Sequence, residues 1–111
     1  MSPLRALETW YARDCDGDWE HSFGVTIETL DNPGWAVRID LAETSLAGRP
    51  FEPVRIERAP DDWLRCAVEA GVFKGHGGPG NLHEILDAFA RWAELEPRRG
   101  RASAAEVPAM G

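Results

Sequence analysis

Apolar and polar side chains alternate along two neighbouring segments, and this alternation limits the possible folds more than any other feature of the chain. In residues 23–29 and 35–41 every second side chain is apolar or a threonine, as in strands with one buried face. The Asn32-Pro33-Gly34 sequence between them is typical of a turn, so the two segments predict an antiparallel hairpin.

The register of this hairpin is predicted from the same pattern. Apolar residues must lie beside apolar residues, which is satisfied if residues 31 and 35 are paired and Asn32 to Gly34 form the loop. Ile27 then lies opposite Ile39 in the core, and Glu28 lies opposite Arg38 on the solvent side.

The other elements are predicted from hydrophobic period, turn residues and helix caps. They are strands near residues 53–58, 63–68 and 72–75 and helices near residues 3–13 and 82–95. The second helix has the strongest helical period in the chain, and Asn81 and Glu84 resemble a capping box at its start. Short links between successive strands favour pairing in chain order. We therefore predict an α+β fold, an antiparallel five-stranded meander sheet with an N-terminal and a C-terminal helix.

Length and charge limit the classes of function. The 111 residues fit one domain, which we place at residues 1–97, followed by a flexible tail at residues 98–111. The formal net charge of −7 argues against nucleic acid as a partner and is compatible with a basic protein partner.

No apolar run approaches the ~20 residues of a membrane span, and the N-terminus lacks a signal-peptide pattern, so we expect a cytoplasmic protein.

Acidic side chains stand on alternate positions between the first helix and the first strand. They are Asp14, Asp16, Asp18 and Glu20. The pattern begins like an EF-hand loop, but Trp19 stands where that loop needs glycine, and Val25 stands where it needs glutamate. We therefore expect no bound metal at these acids.

Two interpretations of this acidic segment remain. Asp16 and Gly17 can simply shape a helix-to-strand corner whose acids face water. Alternatively, the acids and Trp19, which has no obvious buried partner, can form a surface for another protein, with the indole as an exposed anchor. We predict the second interpretation, with Asp16, Asp18, Trp19 and Glu20 as partner-binding residues.

The segment from Gly75 to Gly80 matches the G-x-G-x-x-G pattern and opens the second helix. A dinucleotide site also needs a parallel β-α-β unit, and the chain has no room for another strand after that helix, so we expect no cofactor. Cys66 alternates with apolar residues and is predicted to lie in the core. A small enzyme or ligand-binding domain that uses the glycine loop with Cys15 or His76 stays an alternative.

Two long stretches carry a resemblance to a known family. They are WYARDCDGDWEHSFGVTIETLDNPGW and DWLRCAVEAGVFKGHGGPGNLHEILDAFARW, and the likeness covers about residues 4 to 93. The chain resembles the bacterial immunity protein 53 family, which shows a C-D-G-D-W-E-H stretch, a D-N-P-G-W turn and a G-x-G-G-P-x-N-L helix start. The resemblance implies an α+β protein that binds and silences a cognate toxin made by its own cell. It names no catalytic residue, and His21 stands where a sulfurtransferase C-x-x-x-x-x-R loop would need arginine.

Overall fold

The computed structural model describes residues 2–94. Its elements in chain order are α1 (Pro3–Asp14), α2 (Trp19–Ser22), β1 (Val25–Leu30), β2 (Gly34–Asp40), β3 (Val54–Ala59), β4 (Asp62–Glu69), β5 (Val72–Gly77) and α3 (Leu82–Glu94). The α+β class, the five antiparallel strands in one sheet and the two flanking helices are confirmed. The predicted tail at residues 98–111 lies outside the described residues, and the division of the chain at residue 97 stays a prediction.

The strands lie in the order β1-β2-β5-β4-β3, and all neighbours are antiparallel. The predicted meander order is therefore wrong at one connection, because β2 lies beside β5 and not beside β3. The link at residues 41–53 is long enough to cross to the far edge of the sheet, and it carries Leu46 and Phe51 to the core. Trp92 Nε1 donates a hydrogen bond of 2.7 Å to the Pro50 carbonyl, which fixes this link to α3.

The register of the β1–β2 hairpin differs from the prediction by two residues. Ile27 lies opposite Val37 rather than Ile39, and Glu28 lies opposite Ala36 rather than Arg38. The shift is even, so each side chain still points to the predicted face.

The turn lies one residue earlier than predicted. Gly34 belongs to β2 and pairs with Leu30, which leaves residues 31–33 as the turn. An added Cβ at Gly34 would collide with the Gly77 carbonyl of β5. The glycine is thus needed for the close approach of two strands and not for a positive φ. The predicted burial of Ile27 is also wrong: this side chain is 38% exposed because β1 is an edge strand.

The core lies between one face of the sheet and the helices. α3 packs across β4 and β5, and α1 packs against α3. Aromatic rings join the layers: Phe89 makes edge-to-face contacts with Trp10 at 5.2 Å and with Phe73 at 5.3 Å between ring centroids. The opposite face of the sheet carries exposed polar side chains, including Arg38, Arg65 and His76. The molecule therefore presents two different surfaces, a helix layer and an open sheet face.

Candidate protein-interaction surface

The acidic corner, residues 14–20, is held by its own carboxylates. Asp16 Oδ1 accepts hydrogen bonds from the backbone N–H groups of Asp18 at 2.9 Å and Trp19 at 3.0 Å. The carboxylate of Glu20 accepts from the N–H groups of Asp16 at 3.0 Å and Gly17 at 2.8 Å. The donors at Trp19 and Asp18 lower the pKa of the Asp16 carboxyl below its ordinary value. Asp16 and Glu20 thus shape the turn, and Gly17 provides its positive φ of 99°.

Trp19 lies inside the molecule, so its interpretation as an exposed anchor is wrong. Its side chain is 3% exposed, and its Nε1 donates a hydrogen bond of 2.9 Å to the Ala42 carbonyl. The indole packs edge-to-face on Trp10 at 5.8 Å and lies against Phe23 at 6.2 Å. The short α2 turns this side chain inward, and four residues are too few to show a helical period in the sequence. The sequence did contain one signal for this turn: an Asp-Gly pair followed three residues later by Glu20, whose carboxylate accepts hydrogen bonds from the backbone of Asp16 and Gly17.

Asp18 differs from the other predicted partner-binding residues. It is exposed like Asp16, but its carboxylate makes no hydrogen bond with the backbone of residues 2–94. The structure therefore brings Asp16, Asp18 and Glu20 together at one corner and places Trp19 beneath them. Among residues 2–94 no three acidic, histidine or cysteine side chains converge as a group that could hold a metal ion.

Three glycines of the segment from Gly75 to Gly80 are closely packed, namely Gly75, Gly77 and Gly78, while Gly80 faces open space. An added Cβ at Gly75 would collide with Ile85 of α3, and one at Gly78 would lie 2.5 Å from the Asp61 carbonyl oxygen. The Gly78 N–H donates to the Trp63 carbonyl at 3.0 Å, so this amide is already used. Gly75, Gly77 and Gly78 thus let α3 and the β3–β4 turn approach β5, which is a packing role and differs from the open backbone cradle that binds a phosphate.

The other two residues of the enzyme alternative lie far from each other in the fold. Cys15 ends α1 in the helix layer, where its hydrogen bond with Tyr11 raises the pKa of that phenol. His76 is exposed on β5 and points to the open sheet face. The structure does not bring Cys15, His76 and the glycine segment together into one site.

Asn81 joins α3 to the β3–β4 hairpin. It is 3% exposed; its Oδ1 accepts from the Trp63 N–H at 3.3 Å, and its Nδ2 donates to Asp62 at 2.9 Å and Glu84 at 2.7 Å. The predicted capping box is thus replaced by a network between elements. Arg58 completes it, with bonds of 2.8 Å to Asp62 and 2.6 Å to Glu84.

A protein-family model matches the chain along most of its length. The model described as immunity protein 53 matches residues 4–94. The chain belongs to the immunity protein 53 family. Curated proteins and solved structures show no match to the chain.

The match to the immunity protein 53 family covers nearly the whole described fold. It includes the acidic corner, the turn before Gly34, the glycine segment and the Asn81 network. Each of these motifs has a packing or hydrogen-bonding role in the structure, as described above. No helix within residues 2–94 has both the length and the apolar character needed to span a membrane.

The two thiols of this immunity-family chain are expected to react differently. Cys66 is 2% exposed, and burial raises the pKa of its thiol to about 12, whereas Cys15 is partly exposed. Because the thiolate is the reactive form, we expect a maleimide or disulfide reagent at pH 8 to modify Cys15 alone in the native protein and both cysteines after denaturation. Peptide mapping by mass spectrometry measures this. Equal rates at the two sites in native protein would contradict the buried position of Cys66.

The Arg58 network is expected to make stability depend on pH in the acid range. Arg58 is the main cause of the lowered pKa of Asp62, and Asn81 followed by Arg58 lowers that of Glu84. A carboxyl with a lowered folded pKa stabilises the protein above its unfolded pKa of about 4, and this contribution is lost as pH falls through the folded pKa. We therefore expect Arg58→Met to be less stable than the parent at pH 7, with the difference closing below about pH 4.

Urea unfolding of the parent and of Arg58→Met across this range provides the measurement. Arg91→Met is the matched control, since Arg91 pairs with Asp87 at 2.7 Å on an exposed helix position. A difference between parent and Arg58→Met that stays constant from pH 7 to the acid limit would show that Arg58 acts through packing alone.

Proposed function

We propose that this chain binds a toxin made by its own bacterial cell and neutralises it stoichiometrically, without catalysing a reaction. The observation that carries the proposal is the immunity protein 53 match over residues 4–94. Toxin and inhibitor meet in the cytoplasm in this proposal, before the toxin can act on the cell that made it.

The geometry supports binding more than catalysis. A catalytic site needs a nucleophile, a base and a stabiliser of developing charge within reach of one substrate. In the described residues, Cys66 is buried as a neutral thiol, Cys15 and His76 lie on different sides of the sheet, and Gly75 and Gly77 are packed against α3. The alternative of a small enzyme or ligand-binding domain is therefore less well supported, because the residues that suggested it do not form one site.

The acidic corner is proposed as part of the toxin-binding surface. Asp16, Asp18 and Glu20 place carboxylates on one turn of an acidic protein, which would attract a basic region of the toxin. Trp19 holds this turn from below rather than contacting the toxin itself. Nucleic acid and membrane lipids are not proposed as partners, because the chain has a net charge of −7.

Asp18→Asn is the cleanest test of the corner, because the side chains of Asp16 and Glu20 also hold the backbone. We expect about threefold weaker toxin binding at low salt, mainly through slower association, and a smaller effect at high salt. Asp31→Asn, at the opposite end of β1, removes the same charge as a control. Surface plasmon resonance at two salt concentrations measures both; equal kinetics for the two variants would place the binding surface elsewhere.

The function itself is tested with the product of the neighbouring toxin gene. Purified chain and toxin should form a complex on size-exclusion chromatography, and toxin activity should fall linearly with added chain until the two are equimolar. Co-expression should restore growth to cells that make the toxin. If a small fraction of one equivalent of the chain abolished toxin activity and left the toxin chemically altered, the chain would instead be an enzyme.

A further inference from the structure

The two edge strands of the sheet differ in how they are protected against pairing with other strands. Folded proteins usually block such edges with charged side chains, proline or a bulge. The edge strand β3 has these features: Pro53 precedes it, Arg55 and Arg58 lie on it, and its pairing shifts between Glu57 and Ala59. The other edge strand, β1, makes six regular pairs and contains neither proline nor a basic residue. The edge of β1 is therefore open to a further strand.

The free backbone groups of β1 belong to every second residue. The Gly24 carbonyl accepts a hydrogen bond from the Asp40 N–H at 3.0 Å, so the even-numbered residues of this segment direct their backbone groups toward β2. The N–H and C=O groups of Val25, Ile27 and Thr29 then point away from the sheet. Within residues 2–94 β2 is the only strand beside β1, so these donors and acceptors are available in this part of the chain.

The side chains of β1 are exposed on both faces of the sheet. Ile27 lies on the helix side, yet it is 38% exposed because α3 packs on the central strands β4 and β5. Glu28 is exposed on the open side and has no ion-pair or hydrogen-bond partner among residues 2–94. Arg38 on the neighbouring strand β2 has none in this range either. An apolar side chain and two opposite charges are thus available to a partner.

The sequence of β1 is complementary to itself in one antiparallel register. In this register Ile27 lies opposite Ile27 of a second copy at a two-fold axis, and Val25 lies opposite Thr29. These three residues exchange backbone hydrogen bonds, and their side chains share the helix side of the joined sheet. On the open side Thr26 lies opposite Glu28, so the two copies of Glu28 do not face each other. An axis at Glu28 would put these acids opposite, which is unfavourable.

Charges on the open side favour the same register. Arg38 pairs with Thr26 within one chain, so Glu28 of the second copy, opposite Thr26, lies in line with Arg38 at about 10 Å between Cα atoms, two strand spacings. Only the small threonine lies between them, and the long arginine side chain can reach the carboxylate over it. Arg38 also lies beside Lys74, so the acid enters a position next to two cations. An axis at Thr26 would instead bring Glu28 toward Asp40 of the second copy.

We propose that two copies of this chain associate edge to edge through β1 and form one continuous antiparallel sheet with Ile27 at its two-fold axis. The mixed charges of the open face suit a copy of the same chain, because each copy supplies Glu28 and Arg38 to the other. A strand of six residues is a small interface, so we expect a dissociation constant on the order of 10 µM. This association goes beyond toxin binding, and its tests need no toxin, so neither proposal depends on the other.

Sedimentation of the full chain at concentrations from about 1 to about 500 µM measures the association. We expect the mass to rise from the 12.3 kDa of one chain toward twice that value. Ile27→Lys puts two lysines opposite each other at the axis, so we expect at least about tenfold weaker association with an unchanged circular dichroism spectrum. Leu4→Lys, at a more exposed apolar position on α1, is the matched control. A parent that stays monomeric, or an Ile27→Lys variant that associates like Leu4→Lys, would overturn the proposal.

Charge reversal tests the register. Glu28→Arg and Arg38→Glu each turn the two ion pairs between the copies into like-charge pairs, so we expect about tenfold weaker association of either variant alone. In an equal mixture the acids of one variant lie beside the arginines of the other, so association should return nearly to that of the parent. Glu52→Arg, in the exposed link at residues 41–53, makes the same change of charge as a control. The proposal fails if the mixture associates no better than the separate variants.

Hydrogen exchange identifies the interface by residue. The amides of Val25, Ile27 and Thr29 should exchange quickly in dilute chain and slowly in concentrated chain, whereas those of Thr26 and Glu28 should be protected in both because they face β2. Association without this alternation would overturn the proposal. Protection at every concentration would show that residues 95–111 cover the edge, and protection that needs the toxin would show a toxin strand there. Either result would overturn the second copy as the occupant.

Discussion

Replacing Trp19 with alanine is expected to lower the free energy of unfolding by about 3–5 kcal/mol, the usual cost of removing a large aromatic side chain from a core. The indole is 3% exposed and contacts Trp10 of α1 and Phe23 directly after α2, so its removal leaves a cavity beneath the acidic corner. Its hydrogen bond to the Ala42 carbonyl is lost as well, which leaves that acceptor without its partner. Urea unfolding followed by far-UV circular dichroism measures the change.

Trp19→Phe is the control for this prediction. It keeps much of the apolar volume but cannot donate to Ala42, so we expect a smaller loss, about 1–2 kcal/mol. An exposed anchor would behave differently. If Trp19→Ala unfolds at the same urea concentration as the parent but binds toxin weakly, the indole acts at the interface and not in the core.

Asn81→Asp is expected to cost about 3 kcal/mol at pH 7, even though it changes only one group of a buried side chain. The donating Nδ2 lies 2.9 Å from an Asp62 oxygen and 2.7 Å from a Glu84 oxygen. A carboxylate in its place cannot donate to either of them and puts a third negative charge beside Arg58. Protonation of the new carboxyl restores a donor, so we expect the loss to shrink as the pH falls toward 4.

Asn81→Ala separates this charge effect from the loss of the hydrogen bonds. It should cost about 1–3 kcal/mol, with less dependence on pH than Asn81→Asp, because it removes the partner of the Trp63 N–H without adding a charge. Comparing the urea midpoints of the two variants at pH 7 and pH 4 gives the measurement. If Asn81→Asp is no less stable than Asn81→Ala at pH 7, the amide does not donate to the two carboxylates.

The sequence predicted the acidic corner but not the direction of the Trp19 side chain, and the difference has a physical cause. The composition of the acidic corner was visible in the sequence, and so was the interpretation that Asp16 and Gly17 shape a turn. The inward direction of Trp19 was not visible, since it depends on a four-residue helix and on the Ala42 carbonyl from another segment. The grouping of Arg38, Arg65 and Lys74 on the open face of the sheet was missed because these residues are separated along the chain, and only strand pairing brings them together.

Local patterns determined much of the fold. The alternation around Val25 and Val37 determined the first two strands and their inward faces, and the period from Leu82 to Trp92 determined α3. Motif spacing led to the expectation of no nucleotide or metal site, and that expectation stays a prediction. These features depend on residues close together in the chain, where the periods of strand and helix are directly visible in the sequence.

Only the tertiary structure decided the features that depend on contacts between distant segments. The order of the strands depends on where the long link at residues 41–53 crosses, and the need for glycine at position 34 depends on the approach of Gly77 from β5. The strand order also decides which cations share the open face. A single sequence does not specify these contacts because packing energy depends on the fit of two surfaces in space, while hydrophobic period reports only which side of one segment is buried.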